Sequence, residues 1–211
     1  MTDAAILDES MADPAAAPGH GSGGPASDSV VVGFGFWVFL LSDIIMFAAF
    51  FAAHAVLANH TAGGPAARDL FHLPRIALET ACLLLSSFTC GMLSIATNAR
   101  NRSVVYIAAA VTFVLGASFI GLEINDFSSL VARGFGPSRS AFLSSFFALV
   151  GAHGAHVTAG LVWLLVMMAQ VATRGFRPST VRRLYCFTLF WHALDIVWVA
   201  VFTIVYLKGV S

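Results

Sequence analysis

From Val30 onward the chain is a succession of five long apolar runs, at roughly 31–58, 74–97, 104–123, 141–172 and 184–207, joined by short polar connections. A bilayer core about 30 Å thick is spanned by about 20 helical residues, and every run is at least that long. The first and fourth runs exceed the requirement, so they tilt or extend beyond the membrane. No run alternates apolar and polar residues over ~10 positions, as a membrane barrel strand does. The reading is an all-α polytopic membrane protein, a bundle of five transmembrane helices occupying residues 30–211. Composition agrees, with 58% hydrophobic and 10% charged residues where soluble domains carry about 25% charged ones. Eleven Lys and Arg balance eleven Asp and Glu, which leaves no basic field for nucleic acid. A soluble enzyme, a disulfide scaffold and a DNA-binding protein are excluded at this level.

Residues 1–29 differ from the rest. They are rich in Ala, Gly, Pro and Ser and carry Asp3, Asp8, Glu9, Asp13 and Asp28 without a Lys or Arg. Such a segment cannot bury enough apolar surface to order itself, and it lacks the basic start of a signal peptide; a disordered tail is expected. The connections Asn59–Pro65, Asn98–Ser103, Arg133–Pro137 and Thr173–Arg183 read as loops, two of them punctuated by Gly and Pro. Five spans put Arg100, Arg102, Arg174, Arg177, Arg182 and Arg183 on the side of the N-terminus. Arg68, Arg75, Arg133, Arg139 and Lys208 fall on the other side. The excess of basic residues on cytoplasmic loops then gives a cytoplasmic N-terminus and a periplasmic C-terminus. Cys82, Cys90 and Cys186 lie inside apolar runs with no C-x-x-C pair and read as small hydrophobes.

The informative residues are the polar ones inside the runs. A charge at mid-bilayer costs at least ~2.5–3.5 kcal/mol, so such groups face a protein interior. The runs carry, in order, Asp43; Glu79; Glu123 near an end; His153 and His156; and His192 and Asp195. Glu123 and Asp126, next to a connection, read as interfacial and hydrated. His192 and Asp195 are three apart and hence neighbours on one helix face, as are His153 and His156. Gly151, Ala155 and Ala159 form a row of small residues that lets another helix approach closely. Ser86, Ser87 and Thr89 read as packing hydroxyls. Intramembrane His and carboxylates can ligate haem, relay protons or line a transport path. They can equally tie helices together by hydrogen bonds of roughly 0.6–2 kcal/mol each. A b-type haem wants His on two facing helices; His54, His153, His156 and His192 are the candidates for that reading. A proton-coupled transporter would show inverted repeats, and no repeat is visible. No nucleophile arrangement or phosphate loop is present, and Gly33-Phe-Gly35 lacks the context of a dinucleotide fingerprint.

Several strings carry a resemblance. Trp191-His-Ala-Leu-Asp-Ile-Val-Trp198 resembles the W-H-x-x-D-x-V-W signature of subunit III of haem–copper terminal oxidases. Gly151-Ala-His-Gly-Ala-His-Val157 and Phe36-Trp-Val-Phe-Leu-Leu-Ser-Asp43 are similar to that family's segments in the preceding helix and the first helix. Phe119-Ile-Gly-Leu-Glu123 matches its third-helix end. The similarity runs from about Phe34 to Gly209. Five spans suit the shorter bacterial branch, and the Asn59–Pro65 loop followed by Asp69-Leu-Phe and Leu73-Pro74 is similar to the cytochrome o ubiquinol oxidase version. A bacterial cytochrome c oxidase is the alternative.

The resemblance implies a subunit without its own redox centre, non-catalytic in an oxidase that reduces oxygen with ubiquinol electrons and pumps protons. It implies that haem and copper belong to subunit I, that subunits I, II and IV are partners, and that structural phospholipid is held between helices. It implies the bacterial inner membrane. On this reading Asp43, Glu79, His153, His156, His192 and Asp195 serve interior hydrogen bonding or assembly, and Trp191 and Trp198 brace the packing of the fourth and fifth helices.

Overall fold

The computed structural model of the chain describes residues 28–58, 60 and 73–207. The expected tail over 1–29 and most of the Asn59–Pro65 loop therefore lie outside the described residues. Five helices follow one another: α1 (Asp28–Leu57), α2 (Leu73–Asn98), α3 (Arg102–Ala132), α4 (Ala141–Arg174) and α5 (Pro178–Val201). A π-helical segment, Phe202–Leu207, prolongs α5. All five are long and apolar enough to cross a membrane, and no strand occurs among the described residues. The protein is a multi-pass membrane protein.

Local chemistry sets the helix ends. The side chain of Asn101 accepts a hydrogen bond from Val104 N at the start of α3, and Ser140 does the same for Leu143 N at the start of α4, each satisfying a donor the helix leaves orphaned. Gly175 stops α4 with φ +67, a backbone value that costs glycine little. Pro178 opens α5 within its first two positions, where the missing N–H is no loss. The connection expected over Thr173–Arg183 thereby shrinks to Gly175–Arg177, and α5 starts earlier than the apolar run.

The third helix departs further from expectation, ending at Ala132 rather than at Glu123. Glu123, Asp126, Phe127 and Leu130 recur at helical spacing, and all four are buried or half-buried. The segment thus has an inward face that holds it helical beyond the purely apolar run. Glu123 is consequently buried at 6% exposure, not interfacial and hydrated.

In the bundle α2 pairs with α3, α3 with α4, and α4 with α5, while α5 also packs on α2. The core at their centre includes Phe119, Phe146, Leu149, Phe187, Trp191 and Trp198. Helix α1 lies at the edge against α4 and α5, burying Leu40 and Phe47 and leaving Phe34, Trp37, Ile45 and Val56 exposed. In a bilayer that outer apolar face meets lipid or another membrane helix.

Candidate functional site: a polar seam and a carboxylate cavity

Helices α2 and α5 run antiparallel and are joined by a row of side-chain hydrogen bonds. Trp198 Nε1–H donates to Thr80 Oγ1 at 3.1 Å, Trp191 Nε1–H donates to Ser86 Oγ at 3.1 Å, and Ser87 Oγ lies 2.7 Å from His192 Nδ1. Tyr185 Oη–H donates to Asn98 Oδ1 at the other end. The hydroxyls also donate along their own helix, Ser86 to Leu83 O and Thr80 to Ile76 O, so each donates in-helix and accepts across the seam. Thr89 continues the pattern toward α3, with its Oγ1 2.7 Å from Thr112 Oγ1. Of the packing hydroxyls of the second run, Ser86 accepts from the Trp191 ring N–H, Ser87 bonds to His192, and Thr89 turns to α3.

The two tryptophans reach beyond that pair. Trp198 stacks on His153 of α4, with ring centroids 5.1 Å apart and planes 29° apart, and meets Phe119 of α3 edge-on at 4.6 Å. Trp191 fills a niche floored by glycines. A Cβ at Gly160 would stand 2.9 Å from its ring, and one at Gly116 3.0 Å. Trp191 and Trp198 thus contact α2, α3 and α4 from α5. His153 is fully buried, and neither ring nitrogen has a hydrogen-bond partner among the described residues.

Helix α1 attaches through a second set of polar contacts. His54 Nδ1 lies 3.0 Å from Ser145 Oγ of α4, both buried. Nearer mid-span, His156 Nδ1–H donates to Ala152 O at 2.7 Å. Because a carbonyl only accepts, the proton sits on Nδ1, and Nε2 is left facing Asp43 Oδ1 at 4.0 Å, the outer limit for an ion pair. Asp43 Oδ2 is buried with no hydrogen-bond partner among the described residues, beside an apolar groove formed by Leu40, Phe47, Phe190 and Val197.

At the end of the bundle where α2 begins and α3 finishes, a cavity of about 230 Å³ opens among Arg75, Glu79, Glu123, Asp126, Arg133 and Tyr206, with Ile76, Leu130 and Phe146 as apolar walls. Arg75 Nε approaches Asp126 Oδ1 to 2.7 Å, an ion-pair contact whose geometry falls short of a hydrogen bond. Glu79 is 2% exposed and Glu123 6%. Among the described residues, Glu79 Oε1 and Glu123 Oε2 are buried without hydrogen-bond partners. The Glu123 carboxylate rests on Gly154 of α4, where a Cβ would stand 2.7 Å from both of its oxygens.

The residues singled out in the sequence fall into separate places. His192 joins the α2–α5 seam with Asp195 one turn along, Asp43 and His156 face each other between α1 and α4, His153 is wedged against Trp198, and Glu79 lines the cavity. The small-residue row splits: Ala155 and Ala159 are exposed, and a Cβ at Gly151 would make ordinary contact with Phe127 at 3.7 Å. Within the chain the tight approaches on α4 are at Gly154 and Gly160 instead, because the face turned toward α3 and α5 is rotated from that row. Sequence reasoning missed Arg75, Asp126, Arg133 and Tyr206 as lining groups. The helical spacing of Glu123, Asp126 and Leu130 was the available signal.

The model of the family described as cytochrome c oxidase subunit III matches residues 22–210. A protein of Pseudomonas aeruginosa named cytochrome bo(3) ubiquinol oxidase subunit 3 is 57% identical over 178 residues, covering 83% of this chain and 84% of that one. The quinol oxidase subunit 3 of Bacillus subtilis is 43% identical over 177 residues, 84% of this chain and 87% of that protein. The cytochrome c oxidase subunit 3 of Bacillus sp. (strain PS3) is 40% identical over 175 residues, 83% and 84% of the two chains. A family match that takes in all five helices, together with relatives aligned over most of both chains, places the protein plainly: it belongs to the cytochrome c oxidase subunit III family.

Proposed function

We propose that this chain is subunit III of a ubiquinol oxidase of the bacterial cytoplasmic membrane, and that it works as an auxiliary subunit beside the one holding haem and copper. One observation carries the donor assignment. Identity is 57% to the Pseudomonas aeruginosa protein named for a ubiquinol oxidase and 40% to the Bacillus protein named for a cytochrome c oxidase. The auxiliary role is supported by how the polar groups are spent. His54, His156 and His192 have partners inside the chain, as interhelical and in-helix ties do.

In this reading the exposed outer face of α1, together with Ala155 and Ala159 on α4, meets partner subunits and bound phospholipid. Asp43, Glu79, His153, His156, His192 and Asp195 hold the bundle in the shape those partners recognise. Subunits I, II and IV are the partners. The N-terminus, with the acidic tail over 1–29, lies in the cytoplasm and the cavity end of the bundle faces the periplasm. The basic residues of the two α-hairpin connections on the N-terminal side support that orientation.

The test is to purify the oxidase through a tag on this chain in mild detergent and supply two donors in turn. Oxygen consumption with ubiquinol and not with reduced cytochrome c is the expected result. Consumption with cytochrome c alone would move the chain to the cytochrome c branch. A tagged chain that brings down no oxidase under conditions preserving ubiquinol oxidation in the membranes would overturn the subunit reading.

A further inference from the structure

The cavity at the α2–α3 end is built unlike the rest of the molecule. Its lining brings together three carboxyl groups, Glu79, Glu123 and Asp126, and two guanidinium groups, Arg75 and Arg133. Asp126 is ion-paired with Arg75, whereas the two glutamates are almost wholly buried and each has an oxygen without a protein partner. Ionised carboxylates only accept hydrogen bonds, so neighbouring carboxyls bond to one another only when one of them carries a proton. Carboxylates crowded into a poorly solvated site cannot all be ionised, and one proton shared among them removes the repulsion. Among the described residues the charges reach the same count: three carboxylates against two guanidinium groups are neutralised by one proton.

We propose that Glu79, Glu123 and Asp126 form a proton-holding site inside the membrane, retaining one proton at neutral pH on the glutamate pair and exchanging it with water that enters the cavity beside Arg75 and Arg133. The exchange is an acid–base step alone: a carboxyl O–H bond breaks, the proton passes to a cavity water as hydronium, and the site left with one net negative charge draws a proton back from the cavity water. A cavity of about 230 Å³ has room for several waters, and its polar rim supplies the partners each requires. Among the described residues, the groups facing the pair come from four elements. Helix α2 contributes Arg75, α3 contributes Asp126 and Arg133, and the terminal segment contributes Tyr206. Helix α4 brings Phe146 and Gly154, its nearest ionisable group being His153, whose ring is occupied by Trp198. Helix α1 adds nothing to the lining, its Asp43 meeting His156 elsewhere. The site belongs to the chain itself and stands or falls independently of the oxidase assignment.

The chain contains only three glutamates, Glu9, Glu79 and Glu123, so its carboxyl chemistry can be read selectively. The full chain, labelled with carbon-13 at the glutamate side-chain carboxyl and held in lipid nanodiscs, is followed by infrared spectroscopy as pH is varied. At neutral pH the labelled protonated-carboxyl band is expected at about one third of its acid-limit intensity, one proton among three labelled glutamates, and it should shift promptly on transfer to heavy water. Removing either carboxyl balances the remaining two against the two guanidinium groups, so both Glu79→Gln and Glu123→Gln should lose the neutral-pH band entirely. Absence of the band in the unmodified chain at neutral pH overturns the proposal. So does a band that survives in either variant, or one that fails to exchange with heavy water. If a variant does not fold, the intensity and exchange of the unmodified chain decide the matter.

Discussion

Trp198 is held by two different interactions at once: its indole stacks on the imidazole of His153, 5.1 Å between centroids, while its N–H reaches across to Thr80 Oγ1 at 3.1 Å. The residue thereby locks α5 to α4 through a ring face and to α2 through a donor. Replacing Trp198 by Phe keeps an aromatic face and removes the donor, for a loss of about 1 kcal/mol. Trp198→Ala leaves a hole in the fully buried core and costs about 3–5 kcal/mol. Denaturant unfolding in detergent followed by circular dichroism measures both, and equal losses would show that the stacking contributes nothing.

Close packing against Trp191 makes a second prediction. Gly160→Ala sets a methyl 2.9 Å from a rigid ring and should destabilise the chain by about 1–3 kcal/mol, the usual cost of overpacking. Gly151→Ala adds a methyl at ordinary contact distance and should leave the midpoint of unfolding essentially where it was. The reverse order of the two effects would contradict the placement of α5 against α4.

The 2.7 Å contact between Ser87 and His192 should appear as coupling in a double-mutant cycle. Ser87→Ala and His192→Ala together should cost less than their sum, by roughly 0.6–1.7 kcal/mol, the range found for interhelical hydrogen bonds in membranes. Strict additivity would mean that the two side chains do not bond in the folded chain.

Arg75 and Asp126 are each about a third exposed, so their ion pair is worth no more than about 1 kcal/mol. Arg75→Gln alone should reduce stability slightly by leaving Asp126 unmatched at the cavity rim, and adding Asp126→Asn should recover most of it. A double variant weaker than Arg75→Gln alone would show that the groups serve the fold separately.

How much of this was legible in the sequence follows from what periodicity can encode. Five runs of more than about 20 apolar residues have one stable solution in lipid, because helices satisfy every backbone group internally; the helix number and class therefore stood in plain view. Partners did not. Glu123 marks the end of an apolar run, so hydropathy placed it at the interface, whereas the inward spacing of Asp126, Phe127 and Leu130 carries the helix nine residues further to Ala132 and buries it. Likewise Gly151, Ala155 and Ala159 share a helix face, but only the packing of α3 and α5 reveals that Gly154 and Gly160 receive Glu123 and Trp191. That His192 meets Ser87 depends on the register of α2 against α5, which long-range packing sets. Arg75 and Tyr206 come together from opposite ends of the helical domain, and no local pattern links them.

The central claim is that the chain belongs to an oxidase whose haem sits in another subunit. The most direct measurement is a reduced-minus-oxidised visible spectrum of the complex purified through this chain, repeated after a harsher detergent has stripped its partners. The account predicts a haem spectrum in the first preparation that leaves with the partners, while the stripped chain keeps its helical circular dichroism. Haem retained by the stripped chain would contradict it and turn His54, His153, His156 and His192 into candidate ligands.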